Sequence, residues 1–543
     1  MTVERVPVLI VGGGVSGLTA ALLLDRYGVR SLLVERHADT SPQPKARRFN
    51  PRSTEVFRAL GLIDRVERAA APLANFTRML VGRTLAEARP PEVSDDLAAR
   101  FTQHATLGEH TPAPSVLCPQ DVLEPVLREA AVARGADVRF ATELLSLSQD
   151  GSGVTAAVVD RASGERHTVR ADYVIAADGA RSPVREALGI PRSGLGRLAD
   201  NLDVYFRADL TDLVRGREFN LCSIDNPVAS GGFVSINGTD RWLFSTSNSV
   251  VDGRLAQDLE PERWVELLRA VIGVPDLPVE IISVMPWESG MHVADRFAQG
   301  RVFLVGDAAH VMPPMAAAGA NTAIQDVHNL TWKLAAVLAG TAGPALLDSY
   351  HQERHPVAYA TAEYSSQVGG HLGTMVNSVV LGTIRRVDFV TAMFGVQYAE
   401  GAFVPDGRDP APVDHYAPEG RPGTRLPHAW LRGSGPRLST LDLVGPGFAL
   451  ITGGEGAAWC AAGAEVARRT GVPLSVHRIG ASGPADTDVL TTDPDIDWPA
   501  LAGIKPDGAL LVRPDHIVAW HSAGPVADPV TVLDQALARV LAC

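Results

Sequence analysis

Cysteine and positive charge are both scarce in this chain of 543 residues. Its four cysteines lie far apart and form no Cys-x-x-Cys pair, which argues against a disulfide framework, a zinc cluster or any other metal site. Lys and Arg number 49 against 62 Asp and Glu, a net charge of −13. Binding to nucleic acid or to an anionic membrane needs clustered Lys and Arg, so the composition disfavours both.

Long hydrophobic runs are also nearly absent. One uncharged, mostly apolar run, residues 6–24, approaches the length of a membrane span. Glycines interrupt it in the middle, and its first part is rich in β-branched residues. A strand, a tight turn and a helix explain both parts better than a transmembrane or signal segment. We therefore expect a soluble, cytoplasmic protein, and the length allows two or three packed domains.

The interrupted run begins a βαβ unit. Residues 6–11 predict a buried parallel strand, residues 15–27 a helix closed by Gly28, and residues 29–35 a second strand. This order is typical of a doubly wound α/β sheet.

The turn between the first strand and the helix has the glycine spacing of a dinucleotide site, Gly12-x-Gly14-x-x-Gly17. The first glycine permits the tight turn, the second lets backbone approach a pyrophosphate, and the third lets helix and strand pack closely. The N–H groups at the helix start favour an anion. Glu35, at the end of the second strand, is placed to accept hydrogen bonds from a ribose.

Two further stretches, residues 172–185 and 301–310, each combine a buried strand with a following Asp-containing turn. Ligands gather at the carboxyl ends of parallel strands, and Asp307 is placed to hold the ribityl hydroxyls of a flavin. The helix predicted at 319–338 would turn its N-terminus toward the flavin N1–C2=O edge. In contrast, Gly151-Ser152-Gly153 predicts a hairpin turn, so the chain carries one dinucleotide fold and any NAD(P)H must dock elsewhere.

The remaining pattern divides into helical, sheet and linker regions. Beyond the βαβ unit it predicts helices at 53–70, 120–135 and from 350 to about 396, successive strands at 137–178, an antiparallel sheet at 190–290, a buried strand at 301–305, a Pro-rich linker or strap at 404–427, and a compact α/β segment at 436–543. In that last segment we expect strands at 448–452, 474–479, 509–512 and 517–520, with helices at 456–470 and 529–541.

Taken together, these motifs resemble the group A flavoprotein monooxygenases, the family of para-hydroxybenzoate and phenol hydroxylases. Residues 172–185 match the family's DG motif and residues 301–314 its GD motif. Residues 439–443 and 511–515 are similar to the thioredoxin-like tail of the phenol and polyketide hydroxylase branch, which lacks redox cysteines in its bacterial members. The whole pattern is most similar to the aromatic polyketide hydroxylases of antibiotic pathways.

The resemblance implies an α/β fold with three domains and a linker. They are a doubly wound FAD-binding domain of the glutathione reductase type (1–75, 116–190 and 290–400, with long helices), an antiparallel-sheet substrate-binding domain (76–115 and 191–289), a linker (401–428) and a C-terminal thioredoxin-like domain (429–543).

The resemblance also assigns cofactor-binding roles to matching positions. The ADP half of FAD would be held by Gly12, Gly14, Gly17 and Glu35, and its pyrophosphate would lie near Lys45 and Arg47. The flavin half would be met by Gln120, Asp307, Pro314, Ala320 and Asn321. Asp178 and Arg185 belong to the motif implicated in both FAD and NAD(P)H binding. One departure is Ala316, which stands where relatives usually carry Gly and puts substrate contacts there in doubt.

The implied reaction is hydroxylation of a polycyclic aromatic polyketide. FAD would be bound tightly without a covalent link, NAD(P)H (NADPH favoured) and O2 would be transient co-substrates, and a flavin C4a-hydroperoxide would deliver the oxygen. We expect a monomer or homodimer that acts on a small molecule.

Two points stay open in the sequence. A Baeyer–Villiger-type oxygenation or an oxidative rearrangement would use the same intermediate, and a non-catalytic flavin- or ligand-binding protein is a further alternative. The catalytic base is not assigned. His292, His310 and Pro314 are candidates, and for the two histidines a structural role is the simpler interpretation.

Overall fold

A computed structural model describes residues 3–92, 107–251, 253–314, 317–367, 389–408, 416, 418–432, 437–480 and 489–543. The departure predicted at Ala316 lies outside these residues, as do parts of the predicted helix beyond 366 and of the Pro-rich strap. Three large sheets, each flanked by helices, organise the described residues.

The strands and helices have the following bounds. In chain order the strands are β1 (Val3–Val11), β2 (Ser31–Val34), β3 (Arg48–Phe49), β4 (Arg78–Gly82), β5 (Val116–Leu117), β6 (Asp137–Arg139), β7 (Thr142–Asp150), β8 (Gly153–Asp160), β9 (Arg166–Ala176), β10 (Arg192–Arg207), β11 (Phe219–Ile224), β12 (Gly231–Ser235), β13 (Arg241–Ser247), β14 (Val250–Val251), β15 (Arg254–Leu255), β16 (Glu280–Ala294), β17 (Ala298–Gln299), β18 (Val302–Leu304), β19 (His310–Val311), β20 (Trp430–Arg432), β21 (Leu438–Ser439), β22 (Phe448–Gly453), β23 (Leu474–Gly480), β24 (Val489–Thr492), β25 (Ala509–Val512) and β26 (Val518–Ser522). The α-helices are α1 (Val15–Arg26), α2 (Pro51–Ala59), α3 (Ile63–Ala70), α4 (Gln120–Ala133), α5 (Pro183–Ala187), α6 (Thr211–Val214), α7 (Pro261–Ile272), α8 (Ala318–Leu338), α9 (Asp348–Ser366), α10 (Phe389–Phe394), α11 (Ala457–Thr470), α12 (Trp498–Ala502) and α13 (Pro529–Val540).

The first sheet has the parallel core β18-β9-β1-β2-β6, which confirms the predicted βαβ beginning. Strand β1 is central and its last four residues are buried, because helices cover it and a parallel sheet needs both faces protected. Helix α1 packs against α4 and α8. The carboxyl ends of β1, β9 and β18 therefore meet at one edge of the sheet, where ligands of such folds bind.

Two predictions for this region need correction, and a third is confirmed. The helix expected at 53–70 is two helices, α2 and α3, because Gly61 adopts a φ of +67° between them. The stretch 350–396 is likewise not one described helix, since α9 ends at Ser366 and α10 begins at Phe389. The hairpin predicted around Gly151 is confirmed, with Asp150 opposite Gly153 in the β7–β8 register.

The second sheet has the order β19-β16-β10-β13-β12-β11-β4 and is antiparallel, as predicted, except that β4 runs parallel to β11. One face packs on helix α7, which the sequence analysis did not predict, through Trp264 and Leu268. The opposite face carries a smaller apolar cluster that includes Leu221, Val234 and Leu243. Both sheet faces are thus apolar, and among the described residues only the first of them is packed against a helix.

The third sheet, β21-β20-β24-β23-β22-β25-β26, contains the expected C-terminal strands. Its central strands β22, β23 and β24 are parallel, β25 pairs antiparallel with β22, and β26 pairs antiparallel with β25. One hydrophobic core joins this sheet to helix α8 through Trp332.

The C-terminal sheet is also tied to the rest of the chain by buried ion pairs, with Arg513 on Glu353 and Arg425 on Glu55. In the part of the chain that the structure describes, no helix has both the length and the apolar character that a membrane span needs.

Candidate active site

A single cavity of about 2090 Å³ lies between the first and second sheets. Pockets for one small ligand have volumes of about 300–1,000 Å³, so this cavity has room for a large cofactor and a second molecule. Its wall begins at the glycine turn after β1 and ends on the uncovered face of the second sheet. Most of the cofactor positions predicted from the sequence line it, namely Gly12, Gly14, Glu35, Lys45, Arg47, Gln120, Asp178, Asp307, Pro314 and Ala320.

The glycine turn is fixed by close backbone contacts. Gly12 has a φ of +111°, and a Cβ there would overlap the carbonyl oxygen of Ala177 at the end of β9. A Cβ at Gly17 would overlap the carbonyl oxygen of Gly12, so Gly17 permits helix α1 to pack on the turn and does not line the cavity. Helix α1 has no side-chain cap and no acidic residue in its first turn. Its N-terminal N–H groups are available to an anion.

Glu35 closes the same end of the cavity. Its Oε2 accepts a hydrogen bond of 2.7 Å from the N–H of Gly13, and its Oε1 accepts one of 2.9 Å from the N–H of His37. These bonds orient the carboxylate beside the turn. The remaining acceptor capacity of a carboxylate suits the two hydroxyls of a ribose.

The segment after β2 supplies polar groups along the cavity wall. Arg47 does not point freely at a ligand, because its guanidinium donates to the carbonyl oxygens of Ser235 at 2.6 Å and Asn220 at 2.7 Å. Burial, helped by the neighbouring Arg48, lowers the pKa of Arg47 to about 9. Arg47 therefore joins this segment to the second sheet.

Gln120 is held in place at the start of helix α4. Its Oε1 accepts from the N–H of Ala46 at 3.3 Å, and its Nε2 donates to Glu124 at 2.7 Å. Glu124, which the sequence analysis did not single out, also lines the cavity, and burial raises the pKa of its carboxyl. Its spacing of four residues from Gln120 on one helix was the available signal.

The two residues predicted from the DG motif have different surroundings. Asp178 lines the cavity, and its carboxyl accepts from the Ser182 hydroxyl at 2.6 Å and the Val184 N–H at 3.0 Å, which caps helix α5. Burial raises the pKa of Asp178. Arg185 is buried behind this turn and donates to the carbonyl oxygen of Ala180 at 3.2 Å. Arg185 therefore braces the turn and is not on the cavity wall.

Asp307 lies in the turn after β18, at the carboxyl edge of the first sheet. Desolvation by the surrounding protein raises the pKa of the Asp307 carboxyl, although the nearby His310 and Lys45 act to lower it. Pro314 and Ala320 lie on the neighbouring wall, where helix α8 turns its N-terminus toward the cavity. An anionic edge of a planar ring placed here would face the N–H groups of α8.

Asn321 is in the same region, but its side chain is fully occupied. Its Oδ1 accepts from the N–H of Asn50 at 2.9 Å and the hydroxyl of Ser53 at 2.6 Å, and its Nδ2 donates to the carbonyl oxygens of Arg48 and Ala317. The side chain thus locks α8 to α2 and does not line the cavity. Only the backbone of Asn321 remains for a contact with a ring.

The candidates for a catalytic base also differ. His310 is buried, and its Nε2 lies 2.7 Å from Asp326 Oδ2, while Asp326 Oδ1 accepts from Arg354 Nε at 2.9 Å. Although burial opposes the effect, His310 and Arg354 hold the pKa of Asp326 below its ordinary value. His310 is therefore part of a structural ion-pair chain behind the cavity wall. His292 does line the cavity, with Nε2 at 3.7 Å from Glu288 Oε1.

The far wall of the cavity is the uncovered face of the second sheet. Its apolar side chains include Met79, Leu221, Val234 and Leu243, and they form a surface suited to a flat apolar ligand. Asp203 interrupts this surface with a carboxyl group that the sequence analysis did not identify.

Two known protein families match this chain. Residues 5–365 match the family described as FAD binding domain, and residues 419–542 match the family described as aromatic-ring hydroxylase, C-terminal. The glycine turn, Glu35, Asp307 and the α8 N-terminus fit the parts of FAD that such a domain holds. The fold and the site therefore define a flavin-dependent oxygenase.

Three similar proteins identify the branch of the family to which the chain belongs. The tetracenomycin A2 monooxygenase-dioxygenase of Streptomyces glaucescens is 41% identical over 564 aligned residues, covering 100% of this chain and 98% of its own. The aklavinone 12-hydroxylase of Streptomyces purpurascens is 37% identical, with 100% of each chain covered. The crystal structure of a ternary complex of aklavinone-11 hydroxylase with FAD and aklavinone matches with a TM-score of 0.88 at 36% identity, again covering 100% of each chain. This chain belongs to the FAD-dependent aromatic monooxygenases, in the branch that contains the polyketide hydroxylases.

Proposed function

We propose that the protein hydroxylates a polycyclic aromatic polyketide in an antibiotic pathway, with FAD as cofactor and NAD(P)H and O2 as co-substrates. The observation that carries this proposal is the cavity whose wall joins the glycine turn to the apolar face of the second sheet. A cofactor held at the turn would place its ring system beside a flat apolar guest. The relatives named for tetracenomycin A2 and aklavinone support a guest with several fused rings.

The cofactor would be bound from one end of the cavity to its middle. The N–H of Gly14 and those at the start of α1 would hold the pyrophosphate, Glu35 the adenosine ribose, and Asp307 the ribityl chain. The start of α8 would face the pyrimidine edge of the flavin. FAD, when bound and reduced by NAD(P)H, supplies the oxygen activation. The contribution of the protein is to position both molecules and exclude water from them.

The finer architecture is part of the same proposal. The first sheet and its helices would form a glutathione reductase-type FAD domain, and the second sheet a substrate-binding domain. The third sheet would form a thioredoxin-like domain, because its parallel strands β22 and β23 are joined through α11 and its antiparallel strands β25 and β26 lead to α13. We propose the domain boundaries that were expected from the sequence, and a protein that would act in the cytoplasm as a monomer or homodimer.

The test is oxidation of NADPH and of NADH in air by the purified yellow protein, with and without added polycyclic phenols and anthraquinones. We expect at least one of these ligands to stimulate oxidation, and mass spectrometry under ¹⁸O2 to find one labelled oxygen in the product. NMR of the product must then show a new ring hydroxyl on an unchanged carbon skeleton.

Two results would contradict the proposal. One is a protein that emerges colourless and stays so after incubation with FAD. The other is a yellow protein whose NAD(P)H oxidation responds to none of the aromatic ligands. A saturated ligand of similar size serves as the control, because it fills apolar space without offering an aromatic ring.

A further inference from the structure

Asp203 is a carboxylic acid in an otherwise apolar part of the cavity wall. It lies on strand β10, directly opposite Ser245 of β13 and Met285 of β16 in the sheet register. Leu243, which lies opposite Tyr205 two residues further along β10, shares this face. Since side chains on alternate positions of a strand share a face, Asp203 is surrounded by the apolar cluster of the uncovered face.

The protein satisfies this carboxyl only in part. The Ser245 hydroxyl and the Trp287 indole, two residues beyond Met285 on β16, lie beside it as neutral donors, but neither makes a well-formed hydrogen bond to the buried Asp203 Oδ1. Burial raises the pKa of the Asp203 carboxyl, and the Ser245 hydroxyl and Trp287 indole oppose that rise less strongly. A buried polar group left unpaired costs stability, so its presence needs an explanation.

A structural role does not explain Asp203. Buried carboxyls that stabilise a fold are paired or fully hydrogen-bonded, as Glu353 is in this protein with Arg513 at 2.6 Å and Lys333 at 2.8 Å. Asp203 has no ion pair of that kind among the described residues. Because Asp203 also lines the cavity, its ionised carboxyl, which is an acceptor only, can accept a further hydrogen bond from a donor on a bound ligand.

The geometry points to Asp203 as the residue that accepts a hydrogen bond from an aromatic hydroxyl of the substrate. This inference rests on the proposed function and narrows it to arenes that carry a free hydroxyl. An ether or ketone at the same place would set an acceptor against an acceptor. Asp203 would thus select the substrate and set its orientation on the apolar sheet face.

The test compares two probes with two variants. The probes are a β-hydroxyanthraquinone, whose hydroxyl is too far from the ring carbonyls to bond to them, and its methyl ether. Affinities for the FAD-loaded protein are measured by the change in flavin absorption or fluorescence. Asp203→Leu keeps the approximate size of the side chain and removes the acceptor, whereas Asp203→Asn keeps an acceptor and removes the charge.

We expect the parent protein to prefer the hydroxyl probe about ten- to a hundredfold, since a hydrogen bond to a charged group contributes about 1.5–3 kcal/mol and 1.4 kcal/mol is tenfold. Asp203→Leu should lower the preference to about onefold, and Asp203→Asn should give an intermediate value. Asp200→Leu is the matched control, because Asp200 lies on the same strand but is half-exposed and paired with Arg197. It should keep the preference of the parent.

The possible failures are distinguishable. If both probes stimulate NADPH oxidation and bind the parent equally well, the proposed function stands and the role of Asp203 is wrong. If the parent discriminates and Asp203→Leu discriminates equally, the role of Asp203 is also wrong. If the FAD-loaded parent binds neither probe and no aromatic ligand stimulates oxidation, both proposals fall.

Discussion

Two groups of polar residues in this protein are organised in opposite ways. At the junction with the third sheet, Glu353 accepts from Arg513, Lys333, Asn329 and the N–H of Ala402, and its capacity is filled by the protein itself. Around the cavity, the described residues offer Asp307 and Asp203 no such set of partners, and desolvation by the surrounding protein raises the pKa of each carboxyl.

This difference distinguishes polar residues that stabilise the fold from polar residues that are available to a ligand. Where every donor and acceptor is paired, the residues hold two parts of the chain together, and removing one leaves a buried charge unpaired. Where a donor or acceptor on a cavity wall has no such set of protein partners, we expect a ligand to supply the missing hydrogen bond. The predictions below follow from this contrast.

The largest effect is expected for Glu353→Gln. The change leaves Arg513 and Lys333 without their shared counter-ion in a fully buried position, so we expect thermal unfolding to show a loss of about 3–5 kcal/mol. Glu465→Gln, which breaks an exposed pair with Arg468, should cost at most about 1 kcal/mol. Equal losses in the two variants would mean that the junction is not held by this network.

Gly12→Ala should come next, with a loss of FAD. The alanine must adopt a left-handed φ and overlap the Ala177 carbonyl, so the turn has to open, and we expect FAD affinity to fall at least tenfold. Gly28→Ala is the control, because its φ of +73° is equally left-handed but a Cβ there meets nothing within 4 Å. It should cost about 1 kcal/mol of stability and leave FAD affinity unchanged. If Gly12→Ala and Gly28→Ala contained equal amounts of FAD, the glycine turn would not be part of the cofactor site.

Asp307→Ala should weaken FAD binding by about ten- to a hundredfold, because it removes a charged acceptor for the ribityl hydroxyls. The ionised carboxyl is the accepting form and its pKa is raised, so FAD affinity of the parent should decline as pH falls through that raised pKa. The variant should lack this decline. Fluorescence titration with FAD measures both the affinity and its dependence on pH. Asp172→Ala, which removes an exposed carboxyl, is the control. Unchanged affinity in Asp307→Ala would contradict the assignment.

The smallest effect, and one of opposite sign, is expected for Asp203→Leu. A desolvated carboxyl without an ion-pair partner costs stability. Its replacement by an apolar side chain should therefore stabilise the FAD-loaded, substrate-free protein by about 1 kcal/mol. The unfolding temperature of the FAD-loaded protein measures this, with Asp200→Leu as reference. Destabilisation by Asp203→Leu alone would indicate a structural role.

Much of the first sheet could be predicted from the sequence because its determinants are local. The glycine spacing at Gly12, the buried strand before Asp307 and the helix from 318 to 338 are set by backbone needs that neighbouring residues reveal. The split between α2 and α3 at Gly61 was missed because both halves keep a helical apolar spacing. Helix α7 was missed within a region dominated by strand patterns.

The candidate site was predictable only in part, for a different reason. Residues of the cavity wall that belong to a local turn, such as Glu35, can be found from motif spacing. Asp203 could not, because its exposure to the cavity depends on the pairing of β10 with β13 and β16, strands up to about ninety residues apart in the chain. Arg185 and Asn321 match family positions, yet the structure places their side chains behind the cavity wall, where they brace it.

The most direct test of the account is whether FAD and an aromatic ligand occupy the cavity at the same time. Titration of the FAD-loaded protein with a β-hydroxyanthraquinone, followed by gel filtration and absorption spectra, should give one ligand per bound flavin with no release of flavin. Displacement of FAD by the ligand, or binding of the ligand with an unperturbed flavin spectrum, would contradict the arrangement of two molecules side by side in one cavity.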